Sequence, residues 1–182
     1  LIMMLTLLPL PLATLYFFRI YETELVRQTE LELISQGATL AASYRQIMRL
    51  TNPKSVDYGY ILSYSPLIPG QRRSYMRDET IDPYYTPITP ELDLVKPVYT
   101  PRPDAIATPQ VADKYAQQAG ALLTPVILNT QQVMLAGVRI LDMKGLVVAG
   151  KEEMGMSLAH VPEVKAALKG YYSSMIRQRI SD

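Results

Sequence analysis

Four polar side chains fall in segments whose apolar residues are otherwise typical of a covered β-sheet. Arg139 interrupts the apolar run from residue 133 to 141, and Tyr171, Arg177 and Arg179 belong to an alternating segment near the end of the chain. A polar group on a covered sheet face needs a partner, because burying it without one costs free energy. These four residues are therefore the candidate ligand-binding residues. The alternative is that the arginines form internal ion pairs, with Asp142 or another acid.

Catalytic chemistry has little support in the sequence. The chain has no cysteine and one histidine, His160, which argues against thiolate catalysis, a Ser-His-Asp triad and a multi-histidine metal site. No glycine-rich phosphate loop is present. Carboxylate pairs such as Glu152 and Glu153 fall on predicted solvent-facing turns and loops, where paired acids are normally hydrated. We therefore predict no catalytic residue, no metal ligand and no cofactor-binding residue in this chain.

Composition and charge narrow the function classes further. The chain has 182 residues, of which 48% are hydrophobic, and its formal net charge is +1. This length suits one domain with appendages. The balanced charge and the absence of a recognisable motif argue against a nucleic-acid partner, and the apolar content argues against disorder.

The first 18 residues carry no charge. As a helix, this segment would span roughly 27 Å, close to the ~30 Å hydrocarbon core of a bilayer. Tyr16, Phe17, Phe18 and Arg19 then resemble the aromatic and basic belt at a membrane surface. We predict that residues 1–18 form the end of a transmembrane helix whose N-terminal part is missing. A cleaved signal peptide and a buried core helix are the alternatives.

Residues 19–51 are predicted to continue as one long stem helix, ending before Pro53. The helix carries an apolar stripe, because four residues recur every seven positions and Tyr44 falls between two of them. This stripe either packs on the protein's own sheet or pairs with a second copy of the chain. The candidate dimer seam consists of Val26, Leu33, Leu40, Tyr44 and Ile47.

The remaining chain, predicted to lie with the stem in one domain over 19–182, divides into three parts. Residues 52–108 are rich in proline and tyrosine and are expected to wrap around a scaffold. Residues 109–131 are predicted to form a helix that starts at Thr108-Pro109 and is kinked or broken near Pro125. Residues 132–182 are predicted to form the sheet core, with a hairpin turning at 142–145, a short helix from Pro162 and a last strand over 171–180. The fold class is therefore α+β.

Several segments resemble the extracytoplasmic sensor regions of proteobacterial histidine kinases. They are the stem start YETELVRQTE at 21–30, LAGVRILD at 135–142, GLVVA at 145–149, GMSLAHVPEV at 155–164 and RQRISD at 177–182. The pattern is similar to Cache-type, PAS-like domains. The resemblance implies an antiparallel PAS-like sheet with flanking helices, supported by the long N-terminal helix.

The same resemblance implies a function and a location. The chain would be the signal-sensing region of a membrane-bound sensor histidine kinase in the bacterial inner membrane, with the residues after about 19 in the periplasm. It would bind an unknown small-molecule or protein signal, form a homodimer through the stem and transmit the signal through its helices. ATP, Mg²⁺ and a response regulator are expected only for a kinase region outside these residues. The alternative function is a single-span envelope structural or assembly protein without a small ligand, and enzymatic activity is not expected of this chain.

Overall fold

Over the residues that the structure describes, three helices and one short hairpin make up the regular structure. The computed structural model describes residues 9–51, 88–95, 97–134 and 136–179. Helix α1 spans Pro9–Thr51, α2 spans Lys114–Val133 and α3 spans Pro162–Leu168, while strand β1 is Ile140–Leu141 and β2 is Val147–Ala149. Most of the predicted wrap, residues 52–87 with residue 96, lies outside the described residues.

The chain divides into two compact units. The first unit comprises Leu1–Gln36, Pro87–Pro101 and Ser174–Asp182, and the second comprises Gly37–Thr86 and Arg102–Ser173. Helix α1 therefore contributes residues up to 36 to the first unit and residues from 37 onward to the second.

The predicted transmembrane helix is wrong for the part of the chain that the structure describes. None of the helices there is both long enough and apolar enough to cross a bilayer. In α1 the uncharged stretch from Pro9 to Phe18 would span only about 15 Å, half the ~30 Å hydrocarbon core. Extending the window past Phe18 brings in Arg19, Glu22 and Glu24. This finding also contradicts the predicted location in the bacterial inner membrane.

The predicted PAS-like sheet is also wrong, and only a roughly α+β arrangement is supported. Over the described residues the one sheet is an antiparallel pair of β1 and β2, with a register shift between Ile140 and Leu141. The segment predicted as a last strand makes an isolated parallel bridge instead, between Arg177 and Tyr99. Alternation of apolar residues favours extended backbone. A sheet forms only where a neighbouring extended segment pairs with it through a continuous series of backbone hydrogen bonds.

Helix α2 differs from its prediction at its start. It begins at Lys114 because the Asp113 carboxylate accepts 3.0 Å hydrogen bonds from the backbone N–H groups of Tyr115 and Ala116. This cap satisfies two of the N–H groups that the first turn leaves without helical partners, and it displaces the start predicted at Thr108. The helix continues through Pro125 without a break.

The core of the second unit lies where α1, α2 and β2 meet. Buried Met48 packs with Ala116, Ala119 and Val148, while Leu123, Ile127 and Ala149 form an adjacent cluster. Three members of the predicted dimer seam, Leu40, Tyr44 and Ile47, pack against these clusters. At these three residues, the stripe therefore packs on the protein's own elements, which was one of its two interpretations. Of the two seam residues in the first unit, Val26 is half-buried and Leu33 is 50% exposed.

Asp142 organises the turn of the hairpin. Its side chain is 5% exposed and accepts hydrogen bonds from the backbone N–H groups of Lys144 and Leu146, both at 2.9 Å, and of Asp113 at 3.3 Å. The Gly145 N–H closes the turn on the Asp142 carbonyl oxygen, and Gly145 has a φ of 79°, a conformation that favours glycine. The predicted turn at 142–145 is thus confirmed.

Candidate functional site

The most concentrated charge among the described residues lies in the second unit, where one carboxylate joins two guanidinium groups. Arg102 Nη2 lies 2.7 Å from Oε1 of Glu153, and Arg139 Nε donates to the other carboxylate oxygen of Glu153. The Glu153 side chain is 16% exposed, against 35% for Arg102 and 29% for Arg139. Charged hydrogen bonds of this kind are about twice as strong as neutral ones.

The Arg139 side chain packs close to two glycines. A Cβ added at Gly150 would lie 3.3 Å from Cγ of Arg139, and one added at Gly137 would lie 3.4 Å from its Nη1. The arginine stem therefore runs close to Gly150, and its guanidinium lies over Gly137. Because the side chain is packed before any ligand arrives, little further conformational entropy would be lost on binding.

The backbone of Glu153 has a conformation that its residue type disfavours. Its φ is 64°, the one positive φ found at a non-glycine residue in the described part of the chain. Such a conformation costs about 1–2 kcal/mol for a residue with a Cβ. It is held by the hydrogen bond from Met156 N–H to the Glu153 carbonyl oxygen and by the two ion pairs of the side chain.

Opposing effects act on the pKa of Glu153. Burial raises it, but the hydrogen bonds and charges of Arg102 and Arg139 outweigh burial, and the net result is a lowered pKa. The carboxylate is therefore ionised at neutral pH and is the counter-ion of both arginines.

Arg139 lines an open cleft of about 310 Å³. The cleft lies between the end of α2 and the loop that follows β2, and its charged side chains are Arg139, Lys151 and Glu152. We call it the charged cleft. Arg139 connects the cleft to Glu153 and, through Glu153, to Arg102. The cleft and these ion pairs together contain three cationic and two acidic side chains, so the local charge is positive.

A second open cleft of about 310 Å³ is lined by Val111, Val147, Val148, Met154 and Gly155 among others. None of the described residues that line it is charged; Gln110 and Gln117 supply its polar side chains. Because burying a charge without a counter-charge is costly, this cleft is unsuited to an ion.

The four predicted ligand-binding residues are distributed over both units. Arg139 and the half-buried Tyr171 belong to the second unit, whereas Arg177 and Arg179 belong to the first. Arg177 donates to the Thr100 carbonyl oxygen at 3.0 Å, and Arg179 is exposed. The alternative of an internal ion pair holds for Arg139, and its acid is Glu153. Asp142, the other acid predicted to pair with an arginine, accepts the backbone hydrogen bonds of the hairpin turn instead.

Sequence reasoning missed Arg102 and Glu153 as members of the site. Arg102 lies in the Pro/Tyr-rich segment, and the sequence predicts that Glu153 and Glu152 form a solvated pair of acids. One signal was available for the acid: Arg139 on an apolar strand needs a counter-charge, and the loop after the returning strand carries the next acids along the chain. No local pattern connects Arg102 to them, because the contact spans 51 residues.

The described residues hold no cluster of three or more acidic or histidine side chains that could bind a metal ion.

The chain matches no protein-family model, no curated protein and no solved structure.

Proposed function

We propose that this chain is a non-catalytic signal-binding module that recognises a small anion in the charged cleft. The observation that carries the proposal is the placement of Arg139, a packed arginine that lines a cleft of about 310 Å³. A second arginine, Arg102, pairs with the same carboxylate as Arg139, that of Glu153. Arginine suits this role because its planar N–H groups match carboxylate and phosphate oxygens.

The packing of the hairpin supports a signalling role. Arg139 directly precedes β1, and Lys151, which lines the same cleft, follows β2. An anion bound by these two cations therefore contacts the chain on both sides of the hairpin. Val148 of β2 packs with Met48 of α1 in the same core cluster. A ligand that moves the hairpin therefore changes the packing of the part of α1 that belongs to the second unit. The resemblance to sensor histidine kinases is consistent with such an input role, with phosphotransfer and the response regulator belonging to other parts of such a protein.

The proposal is tested by titrating the 182-residue chain with acetate, succinate and inorganic phosphate at constant ionic strength, using isothermal titration calorimetry. We expect at least one probe to bind, and Arg139→Gln to weaken its binding by about tenfold or more, the loss typical of one charged hydrogen bond.

Arg49→Gln is the matched control, because Arg49 is an exposed arginine of the same unit. It should bind the probe as the wild type does. Failure of all three probes to bind the wild-type chain overturns the proposal, as does equal binding by Arg139→Gln.

A further inference from the structure

We infer that Glu153 is an internal surrogate for the ligand, and that the charged cleft takes a small carboxylate which displaces the Glu153 side chain from Arg139 and Arg102. This inference rests on the function proposed above and specifies the ligand class and the mode of its competition.

The geometry of the ion-pair site matches a carboxylate ligand. Each oxygen of the Glu153 carboxylate receives a hydrogen bond from a different guanidinium, from Arg102 at Oε1 and from Arg139 at Oε2. Two guanidinium groups arranged around one carboxylate make a site of the right size and charge for another carboxylate. The side chain that now fills it thus identifies the chemistry that it accepts.

Arg102 has a guanidinium nitrogen that Glu153 does not use. A guanidinium has five N–H donors. Arg102 uses Nη2 on Glu153, while its Nη1 is buried and has no hydrogen-bond partner among the described residues. A buried N–H without a partner costs free energy, and a ligand with a second oxygen could satisfy it.

Glu153 is held in a backbone conformation that costs free energy. The residue sits in the left-handed region with a φ of 64°, in the loop between Gly150 and Gly155. Releasing its side chain frees this loop to relax, which offsets part of the lost ion pairing. Lys151, which lines the cleft, adds a positive charge that favours an incoming carboxylate.

The test compares succinate binding by the wild-type chain and by Glu153→Gln. Glutamine keeps the size of the side chain but no longer neutralises the arginines. We expect the variant to bind succinate about tenfold more tightly or better, because the ligand no longer competes with an internal anion.

Glu152→Gln is the matched control. It removes the same charge from an adjacent residue that lines the cleft, while the ion pairs of Glu153 stay in place. We expect a much smaller gain in affinity. An equal gain in both variants overturns the inference, because the effect would then be one of general charge and not of displacement.

The failures of the two proposals are distinguishable. If the wild type binds succinate and Glu153→Gln binds it no more tightly, the surrogate role is wrong and the proposed function stands. If neither chain binds succinate, the surrogate role is wrong, and the proposed function is overturned as well only when acetate and phosphate also fail to bind the wild-type chain.

A second measurement keeps the inference testable should Glu153→Gln fold poorly. In the wild-type chain, saturating succinate should shift the carbon-13 NMR signal of the Glu153 carboxyl carbon. Binding that leaves this signal unchanged overturns the inference.

Discussion

Gly120 of α2 lies directly against the backbone of Val148 in β2. A Cβ placed at residue 120 would come within 2.2 Å of the Val148 carbonyl oxygen and 2.7 Å of its carbonyl carbon. This approach is far closer than van der Waals contact, so only glycine lets the helix lie this near the strand.

Gly120→Ala is therefore expected to destabilise the second unit by about 1–3 kcal/mol or more, because helix and strand must separate to admit the methyl group. Urea denaturation monitored by circular dichroism measures the change.

Gly37→Ala is the matched control. Gly37 is also a helical glycine, and nothing lies within 4 Å of a Cβ added there. We expect this substitution to stabilise the chain by about 0.5–1 kcal/mol through helix propensity. A similar loss of stability in both variants would contradict the close packing at Gly120.

Removing the Asp142 carboxylate should unfold the hairpin turn. Asp142→Ala leaves the backbone N–H groups of Lys144 and Leu146 without their acceptor, and a buried unsatisfied donor costs about 1–3 kcal/mol. Asp142→Asn retains an oxygen that can accept both hydrogen bonds and is expected to lose less. Thermal unfolding of the two variants separates them, and an alanine variant as stable as the wild type would disprove the role of the carboxylate.

In the first unit, Glu30 holds two distant segments against α1. Its side chain is 2% exposed, and one oxygen accepts 2.7 Å hydrogen bonds from the N–H groups of Glu91 and Leu92 while the other accepts from the Ser174 hydroxyl. Glu30→Ala should cost at least about 2 kcal/mol, because it leaves several buried polar groups without this partner. Hydrogen exchange at Glu91 and Leu92 should accelerate in the variant.

Two controls accompany the Glu30 variant. Glu30→Gln keeps an oxygen for the two N–H groups, and its amide can donate to Ser174, so it should be milder than alanine. Glu32→Ala removes an exposed acid from the same helix and should change stability by no more than about 0.5 kcal/mol. Unchanged hydrogen exchange at Glu91 and Leu92 in Glu30→Ala would refute this role of Glu30.

Tyr44 links stability to alkaline pH. Burial, with the nearby Asp142 and Asp113 carboxylates, raises the pKa of Tyr44 from 10.0 to about 12. The folded chain thus holds this proton more tightly than the unfolded chain. The stability that the protonated Tyr44 phenol contributes is complete below pH 10 and is lost as the pH rises toward 12.

Urea denaturation at a series of alkaline pH values checks this expectation. The loss of stability above pH 10 should be smaller in Tyr44→Phe, which has no phenol to ionise. Tyr21→Phe, at an exposed position of α1, should leave the loss in place. The same alkaline loss in Tyr44→Phe as in the wild type would show that Tyr44 is not its source.

Local features of the sequence determined the parts of the structure that neighbouring residues can specify. The turn at 142–145 follows from an aspartate and a glycine three positions apart, and α1 ends at Thr51, ahead of Pro53. The apolar stripe through Leu40 and Ile47 indicated a buried helix face. In each case, the backbone conformation or the spacing of apolar residues acts over only a few positions.

Tertiary structure decided what depends on distant contacts. The sequence could not show whether Asp113 or Thr108 caps α2, nor that the hairpin would pair over so few residues. Arg139 was recognisable as a charge that needs a partner, but the meeting of Glu153 with Arg102 was not. These residues come together only when the chain folds, because a counter-charge is selected by its distance in space and not by its separation along the sequence.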